Sequence, residues 1–363
     1  MVLQKGDDMR ILITGGAGFV GANLSFYFKD LGHDVTVLDN LARRGSENNL
    51  SDFKRKGITF VHGDIRNIED FYHIKADVVL ECSAQPSAID GYNNPKYDIT
   101  NNLYGLINVL EYCRINGTAL IFWSTNKTYC GDKINSLPRI EKETRYEWKD
   151  NDQLLIDPLI PGYSPEYGIS NEFSIDGGDH SIYGLTKIQA DLACQEYFNA
   201  FGVPTVINRF SCLAGWRQWG KCAQGWVAWF AIANILGLPI EFIGWKGKQV
   251  RDILFIEDIC SLIEAEISNF SKVQGEVFNI GGGPNYTLSL IEAVELIKNL
   301  TGNKQEIIIK ENARKADHVI YISDIRKINK TLGWEPVIDP ETGYEKIIKW
   351  VYDNKEIMEN LYL

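Results

Sequence analysis

A tyrosine and a lysine four residues apart, Tyr183 and Lys187, are the side chains with the clearest capacity for chemistry. Positions i and i+4 share one face of a helix, so the phenol and the ammonium would be neighbours. A nearby positive charge favours the phenolate, although activity near neutrality requires the tyrosine pKa to fall by roughly 3 units from about 10. A phenolate can accept the proton of a substrate hydroxyl. A surface pair is the alternative, because this spacing also arises by chance.

A glycine-rich run, residues 15–21 (GGAGFVG), directly follows an apolar segment and opens a helix-like one. Glycine lets the chain turn tightly and lets the backbone approach a pyrophosphate, while the N-terminus of the following helix supplies N–H donors. The run therefore predicts a dinucleotide site, with Gly15, Gly18, Phe19 and Val20 at the cofactor. A plain glycine turn is the alternative.

Asp39 follows the second apolar segment, 18 residues after Gly21. A carboxylate at that place can accept hydrogen bonds from both ribose hydroxyls of an adenosine and would repel a 2′-phosphate, so it favours NAD over NADP. Arg43 and Arg44 weaken this inference, because an arginine can hold a 2′-phosphate. A simple strand-end carboxylate is the alternative.

A polar run of four residues, 124–127 (STNK), follows another buried apolar segment. Ligands of a doubly wound sheet lie beyond the carboxyl ends of its strands. A hydroxyl there can hydrogen-bond a reacting oxygen atom, which makes Thr125 the third candidate catalytic residue. An ordinary strand-end Ser/Thr pair is the alternative.

Only a parallel sheet brings these residues together, and the first half of the chain has its pattern. Short runs of Ile, Val and Leu alternate with amphipathic stretches, which predicts an α/β, doubly wound parallel sheet. The predicted strands are 11–14, 35–39, 59–62, 77–81, 120–124, 205–210, 250–255 and 276–280, and the predicted helices are 22–31, 102–114, 181–201, 288–300, 324–332 and 343–354. Between 132 and 180 the pattern breaks down. An irregular segment of that length is usually functional, with a disordered linker as the alternative.

Composition excludes several classes of protein. The 363-residue chain has a net charge of −11 and no stripe rich in Lys and Arg, so we expect no nucleic-acid partner. Seven cysteines without C-x-x-C spacing and only five histidines indicate reduced thiols and no metal site. The sequence has neither a secretory signal nor an apolar run of about 18 residues, so we expect a cytoplasmic protein outside the membrane.

Together these motifs resemble the extended short-chain dehydrogenase/reductase family, over nearly the whole chain. The resemblance implies a Rossmann fold with NAD as cofactor, a nucleotide-sugar substrate, and a homo-oligomer (dimer or tetramer) built through paired helices. It implies an NAD-binding domain of residues 1–210 and 249–281 and a smaller, discontinuous substrate domain of residues 211–248 and 282–363. It adds Tyr183 and Lys187 to the cofactor contacts, together with Asn40, Arg43, Asp64, Ile65, Ala84, Gln85 and Asn102.

Within the family's sugar-nucleotide branch, four stretches most resemble the CDP-paratose (CDP-tyvelose) 2-epimerase group: residues 39–45, 124–127, 224–230 and 247–252. This resemblance implies catalysis by Thr125, Tyr183 and Lys187. It places the substrate at Thr125, Asn126, Lys127, Gln224, Arg251 and Arg314, the two arginines at its diphosphate. The chain departs from the family's usual pattern at 81–87, 128–130 and 210–215. Several of these residues flank the sugar pocket, so the resemblance defines the chemistry better than the sugar.

The leading hypothesis is C2 epimerisation of a CDP-deoxysugar. Tyr183 would deprotonate the C2 hydroxyl, and NAD would take and return the C2 hydride by way of a 2-keto sugar. Dehydration is disfavoured, because the family's 4,6-dehydratases carry Asp-Glu after the active-site threonine and this chain has Asn126 and Lys127. A 4-epimerase or decarboxylase acting on UDP- or GDP-sugars is the runner-up. A non-catalytic NAD-binding protein is a third hypothesis, against which both Tyr183 and Lys187 speak.

Overall fold

The buried apolar runs of the sequence form strands, and the stretches between them form helices. The computed structural model describes residues 8–149, 160–222 and 224–363. In these residues the strands are β1 Arg10–Thr14, β2 Asp34–Asp39, β3 Thr59–His62, β4 Val78–Glu81, β5 Ala119–Thr125, β6 Arg139–Glu141, β7 Tyr146–Trp148, β8 Tyr163–Ser164, β9 Gly168–Ile169, β10 Thr205–Phe210, β11 Cys212–Ala214, β12 Ile240–Ile243, β13 Val250–Phe255, β14 Val277–Ile280, β15 Thr287–Ser289, β16 Ile307–Lys310 and β17 Ile320–Tyr321.

The helices cover both the predicted stretches and several shorter segments. They are α1 Phe19–Asp30, α2 Leu50–Lys56, α3 Ala88–Asn93, α4 Pro95–Asp98, α5 Gly105–Asn116, α6 Gly131–Asn135, α7 Ser181–Phe201, α8 Trp226–Leu236, α9 Ile256–Ser268, α10 Phe270–Val273, α11 Leu290–Thr301, α12 Arg326–Leu332, α13 Pro340–Asp353 and α14 Lys355–Tyr362. The predicted helix 102–114 begins inside a π-helical turn, Ile99–Tyr104, that leads into α5. Such turns are frequent at functional sites.

Seven strands form one parallel sheet in the order β14–β10–β5–β4–β1–β2–β3. The chain adds β2 and β3 on one side of β1 and then β4, β5, β10 and β14 on the other. The strand order therefore reverses between β1 and β4. The connections that follow β1 and β4 run to opposite sides of this point, and this opens a crevice at the carboxyl ends of the strands. The predicted doubly wound Rossmann sheet is confirmed.

Both faces of this sheet are buried, which explains the unbroken apolar runs. Successive side chains of a strand point to opposite faces. Ile11 and Ile13 of β1 pack into one apolar cluster together with α1 and α9, whereas Leu12 packs into another together with α5 and α7. Helix α7, which carries Tyr183 and Lys187, is thereby held directly against the sheet.

A second set of elements gathers around another apolar cluster, formed by α8, α11 and α13 with β12 and β13. Here β11, β13, β15 and β17 form a four-stranded sheet, and β12 pairs with β16. Strand β13 has the predicted bounds but pairs outside the central sheet. Its Leu254 packs with the central cluster, whereas Ile253 and Phe255 pack with the second, so β13 links the two. The division into a cofactor domain and a discontinuous substrate domain stays a prediction.

The described part of the segment that was expected to be irregular consists of the short helix α6, two short hairpins and loops. β6 pairs with β7 and β8 with β9, both antiparallel. The rings of Trp148 and Tyr163 pack edge to face with their centroids 5.3 Å apart. Residues 150–159 of this segment lie outside the described residues. The ring contact and the hairpins favour a folded loop over a linker in the part that is described.

Candidate active site

The turn from β1 into the first residues of α1 has no room for a side chain at several glycines, among them Gly15, Gly16 and Gly21. Gly15 has φ +62°, and a Cβ there would lie 2.7 Å from the Cα of Ser83. A Cβ on Gly21 would lie 2.5 Å from the carbonyl oxygen of Gly15. The loop therefore packs tightly against the end of β4 and leaves the N-terminus of α1 facing the crevice. That arrangement suits a phosphate group, because unpaired N–H groups and the helix dipole both favour an anion.

The crevice opens into a cavity of about 590 Å³. All but one of the predicted site residues line it: Gly15, Gly18, Phe19, Val20, Asp39, Asn40, Arg43, Asp64, Ile65, Ala84, Gln85, Thr125, Asn126, Lys127, Tyr183, Lys187, Gln224, Arg251 and Arg314. The fold thus brings residues from both halves of the chain to one site. The single exception is Asn102.

Asn102 is buried and lies behind the cavity wall. Its side-chain oxygen accepts a hydrogen bond from the backbone N–H of Gln85 at 2.8 Å. Its amide nitrogen donates to the Gln85 carbonyl at 3.2 Å and to the Thr186 hydroxyl at 3.1 Å. Asn102 was expected to contact the cofactor itself. Its position instead makes it the residue that ties the Gln85 segment to α7.

Asp39 lies at the carboxyl end of β2, where its oxygens accept hydrogen bonds from the backbone N–H groups of Ala17 (3.0 Å) and Leu41 (2.7 Å). Burial raises the pKa of Asp39, and these backbone donors partly oppose that shift. Arg43 donates to Gln224 at 2.7 Å and to a backbone carbonyl at 3.1 Å. The Arg43 guanidinium is therefore engaged by neighbouring groups of the protein, and selection of the ribose by Asp39 stays a prediction.

Asp64 belongs to a second small network at the cofactor end of the cavity. It forms an ion pair with Arg66 and accepts a hydrogen bond from Asn40 at 2.8 Å. The hydrogen bond from Arg66 is the main cause that lowers the pKa of Asp64 to about 2. Asp64 is therefore an anion at neutral pH and orients the Asn40 amide beside Asp39.

Tyr183 and Lys187 lie one turn apart on α7, and both are buried. Burial raises the pKa of Tyr183 to about 12, while hydrogen bonding to Thr125, at the carboxyl end of β5, lowers it. Burial also lowers the pKa of Lys187. From the spacing of the two residues, the lysine charge was expected to lower the tyrosine pKa. In the structure desolvation of the phenol outweighs other influences, and the group that opposes it is Thr125.

The lining of the cavity also carries a cluster of charges. Lys127 forms an ion pair with Asp317 at 2.8 Å, and Arg251 forms another with the same carboxylate oxygen at 2.8 Å. Arg314 donates to the backbone carbonyl of Cys222 at 2.8 Å. Sequence reasoning missed Asp317, because no motif surrounds it and 190 residues separate it from Lys127. The only local sign that Asp317 could belong to the site is its position three residues after Arg314.

Comparison with known proteins gives two family models that together span most of the chain. The family model described as NAD dependent epimerase/dehydratase matches residues 11–152, and the model described as GDP-mannose 4,6 dehydratase matches residues 166–347. The chain is 34% identical to CDP-paratose 2-epimerase of Salmonella typhi over 94% of this chain and 99% of that protein. The chain belongs to the NAD-dependent epimerase/dehydratase family. A putative UDP-glucose 4-epimerase of Methanocaldococcus jannaschii is 29% identical over 95% of this chain and 99% of its own.

Solved structures of this epimerase/dehydratase fold superpose over nearly the whole chain. An epimerase of Methanothermobacter thermautotrophicus has a TM-score of 0.79 at 24% identity and covers 98% of this chain and 95% of its own, which shows the shared fold. UDP-glucose 4-epimerase of Thermotoga maritima, solved with UDP-glucose, has a TM-score of 0.75 at 25% identity and covers 96% and 100%. The family predicted from the motifs is confirmed, and the chain is an NAD-dependent enzyme.

The residues present fit the family's cofactor, NAD. Gly18 lies on the cavity at the N-cap of α1 and has no side chain to block a pyrophosphate from the N–H groups of that helix. Asp39 presents a carboxylate to the cavity where an adenosine ribose is recognised in this fold. Within the described residues, no group of three or more His, Cys, Asp and Glu side chains could hold a metal ion. No helix there is long and apolar enough to cross a membrane.

Proposed function

We propose that this enzyme inverts C2 of a nucleotide-activated deoxysugar and interconverts CDP-paratose and CDP-tyvelose. The observation that carries the proposal is the 34% identity to the CDP-paratose 2-epimerase of Salmonella typhi, which extends over 94% of this chain and 99% of that protein. The runs 124–127 and 247–252, which resemble that group, both contribute side chains to the cavity. The similarity therefore includes residues that would meet the substrate.

The acid–base step belongs to residues of α7 and β5. Tyr183 accepts the proton of the C2 hydroxyl, and Thr125, beside the phenol, hydrogen-bonds the same sugar oxygen. When bound, NAD would supply the hydride chemistry at C2, and inversion would require the sugar to present its opposite face before the hydride is restored. Tyr183 then gives the proton back to the oxygen, so that protons and electrons balance over one turnover. Lys187, one helical turn after Tyr183 on α7, would hold the nicotinamide ribose.

Two residues argue for epimerisation over dehydration. Asn126 carries an amide, which has no acidic proton to transfer. The Lys127 ammonium donates to Asp317 at 2.8 Å and to the carbonyl of Ala316 at 3.1 Å. Neither side chain provides the carboxylate pair that eliminates water in the family's 4,6-dehydratases. A reaction that removes and returns hydrogen at one carbon needs no such pair.

Basic side chains line the cavity although the whole chain has a net charge of −11. An acidic protein binds an anionic ligand only where positive side chains are placed locally. The basic residues that line the cavity are Arg43, Lys127, Lys187, Arg217, Lys221, Arg251, Arg314 and Lys315. This cluster supports a nucleoside diphosphate, with Arg251 and Arg314 as its first candidates.

The test is a purified-enzyme assay with CDP-paratose, CDP-tyvelose, UDP-glucose, UDP-glucuronate and GDP-mannose, followed by NMR of the sugar ring. The two CDP-deoxysugars are expected to interconvert and the others to stay unchanged. In deuterated water C2 is expected to keep its protium, because the hydride returns to the carbon that it left. Inversion at C4 of a UDP-sugar without turnover of a CDP-sugar would overturn the substrate, and deuterium at C2 would overturn the redox route.

A further inference from the structure

Glu81, the last residue of β4, is a buried carboxylate that the proposed reaction does not use. It is 1% exposed. Its Oε1 accepts hydrogen bonds from the backbone N–H of Ser83 at 3.0 Å and from the Thr14 hydroxyl at 3.4 Å. These neutral donors orient the carboxylate. An ionised carboxylate in such a place also requires a nearby positive charge, because burial strongly disfavours an isolated ion.

The register of the central sheet places that positive charge. Glu81 pairs with Thr14 of β1 on one side and with Phe122 of β5 on the other. Residues paired across parallel strands point to the same face, and α7 packs on the face where Phe122 lies. The Lys187 ammonium on α7 lies 4.5 Å from the centre of the Phe122 ring. Glu81 and Lys187 therefore share one buried region.

A second carboxylate facing Lys187, that of Asp191, already has a partner. Its two oxygens accept hydrogen bonds from Nε and Nη2 of Arg209, each at 2.9 Å. This bidentate contact balances the charge of Asp191. Glu81 differs from Asp191, because no arginine makes such a bidentate contact with it in the described part of the chain.

The thiols of Cys82 and Cys194 also act on Lys187, and the buried Tyr183 phenol lies one helical turn away on α7. Burial raises the pKa of both thiols well above its usual value, so both are neutral. Burial likewise raises the pKa of Glu81 to about 7 and lowers that of Lys187, while the charge of each residue opposes the shift of the other. Loss of either charge therefore enlarges the shift of its partner.

We propose that Glu81 is a positioning residue that keeps the Lys187 ammonium charged and fixed at the Phe122 ring. Glu81 thereby sets the alkaline limit of cofactor binding by Lys187. The inference deepens the proposed function and rests on it only for the role of Lys187 at the cofactor. This role of Glu81 does not depend on which sugar the substrate carries.

The test compares NAD affinity across pH by calorimetry for the wild type, Glu81→Gln and Glu266→Gln. Glu266, on α9, is a matched control, because it is also fully buried and accepts a hydrogen bond from Asn208 of β10 at 3.0 Å. Affinity is expected to fall on the alkaline side as Lys187 loses its proton. Glu81→Gln is expected to move that midpoint about one pH unit towards neutrality, and Glu266→Gln to leave it in place. Coincident curves for all three proteins would overturn the proposal.

A double-mutant cycle on unfolding gives a second readout without any ligand. Glu81→Gln leaves the Lys187 ammonium buried without its carboxylate, and Lys187→Met removes that ammonium. The double variant is therefore expected to unfold at a higher temperature than Glu81→Gln alone, and to fold even if Glu81→Gln does not. Additive effects would contradict the coupling.

If these outcomes hold but CDP-paratose is not turned over, the proposed function fails and this inference stands. If CDP-paratose is turned over but the two residues are not coupled, this inference fails and the proposed function stands.

Discussion

Lys127 and Arg251 reach the same carboxylate oxygen of Asp317, each at 2.8 Å. Burial alone would raise the pKa of Asp317, but the charges of Lys127 and Arg251 outweigh it and hold this pKa well below its usual range. Asp317 is therefore the anion that lets two cations lie close together in the lining of the cavity. All three side chains retain some exposure, between 10% and 21%.

Asp317→Asn is expected to lower the free energy of unfolding at pH 7 by about 2 kcal/mol, between the values of exposed and buried ion pairs. Because folding depresses the pKa of Asp317, its contribution is present above its unfolded pKa of about 4 and is lost as pH falls further. The gap between wild type and variant should therefore narrow below about pH 4 in denaturant titrations. Asp353→Asn, which breaks an exposed pair with Lys349, is the control and should change little.

Tyr183→Phe is expected to lower kcat by a factor of about 10² to 10⁴, because it removes the group that takes the substrate proton. NAD affinity and the melting temperature should stay near those of the wild type. Tyr344→Phe is the matched control, since Tyr344 is also buried and its hydroxyl has no hydrogen-bond partner in the described chain. Steady-state kinetics check both variants. Near-normal turnover by Tyr183→Phe would assign the proton transfer to another group.

Thr125→Val is expected to move the pH–rate curve to higher pH. Burial raises the pKa of Tyr183 to about 12, and hydrogen bonding to Thr125 opposes this rise. Without that hydroxyl the phenolate is scarcer at each pH below the pKa, so the rate falls most on the acidic side. Thr118→Val, just before the start of the same strand, loses a buried hydrogen bond of 3.0 Å to Ala76 and serves as the control. Its profile should keep the wild-type midpoint.

The elements that surround the site follow closely from local pattern. The strands Thr59–His62 and Thr205–Phe210 and the helix Ser181–Phe201 have the predicted bounds. Burial on both faces produces unbroken apolar runs, and the carboxyl ends of parallel strands meet at one edge. Polar residues that follow such runs, among them Asp39 and Thr125, could therefore be assigned to one site before any contact was known.

Contacts between distant segments did not follow from the sequence. Periodicity reports whether a residue is buried but not which residue it meets, so the partner of Lys127 stayed hidden until the fold brought Asp317 to it. For the same reason the sequence predicted that β13 is a strand but did not show that it lies outside the central sheet. The pKa of Tyr183 was misjudged because helical spacing reveals Lys187 but not the degree of burial, and burial is the larger influence.

Asp39 is expected to make the wild type bind NAD more tightly than NADP, since its carboxylate would repel a 2′-phosphate. Asp39→Asn should weaken NAD binding about tenfold or more, because a hydrogen bond to a charged group is lost. The preference for NAD over NADP should shrink at the same time. Calorimetric titration of both cofactors measures this. Asp34→Asn, at the exposed start of β2, is the control, and a wild type that prefers NADP would contradict the assignment.

A second copy of this chain is expected to cover the outer faces of α5 and α7. These helices pack against one another, and α7 exposes Leu185 (41%) and Leu192 (47%), two turns apart on one face. Apolar side chains in such a row favour association with another apolar surface. Leu192→Glu should therefore halve the mass measured by light scattering after gel filtration, because it buries a charge in the interface. Val337→Glu, at an apolar residue that is 68% exposed elsewhere, should leave the mass unchanged. A monomeric wild type would refute the predicted homo-oligomer.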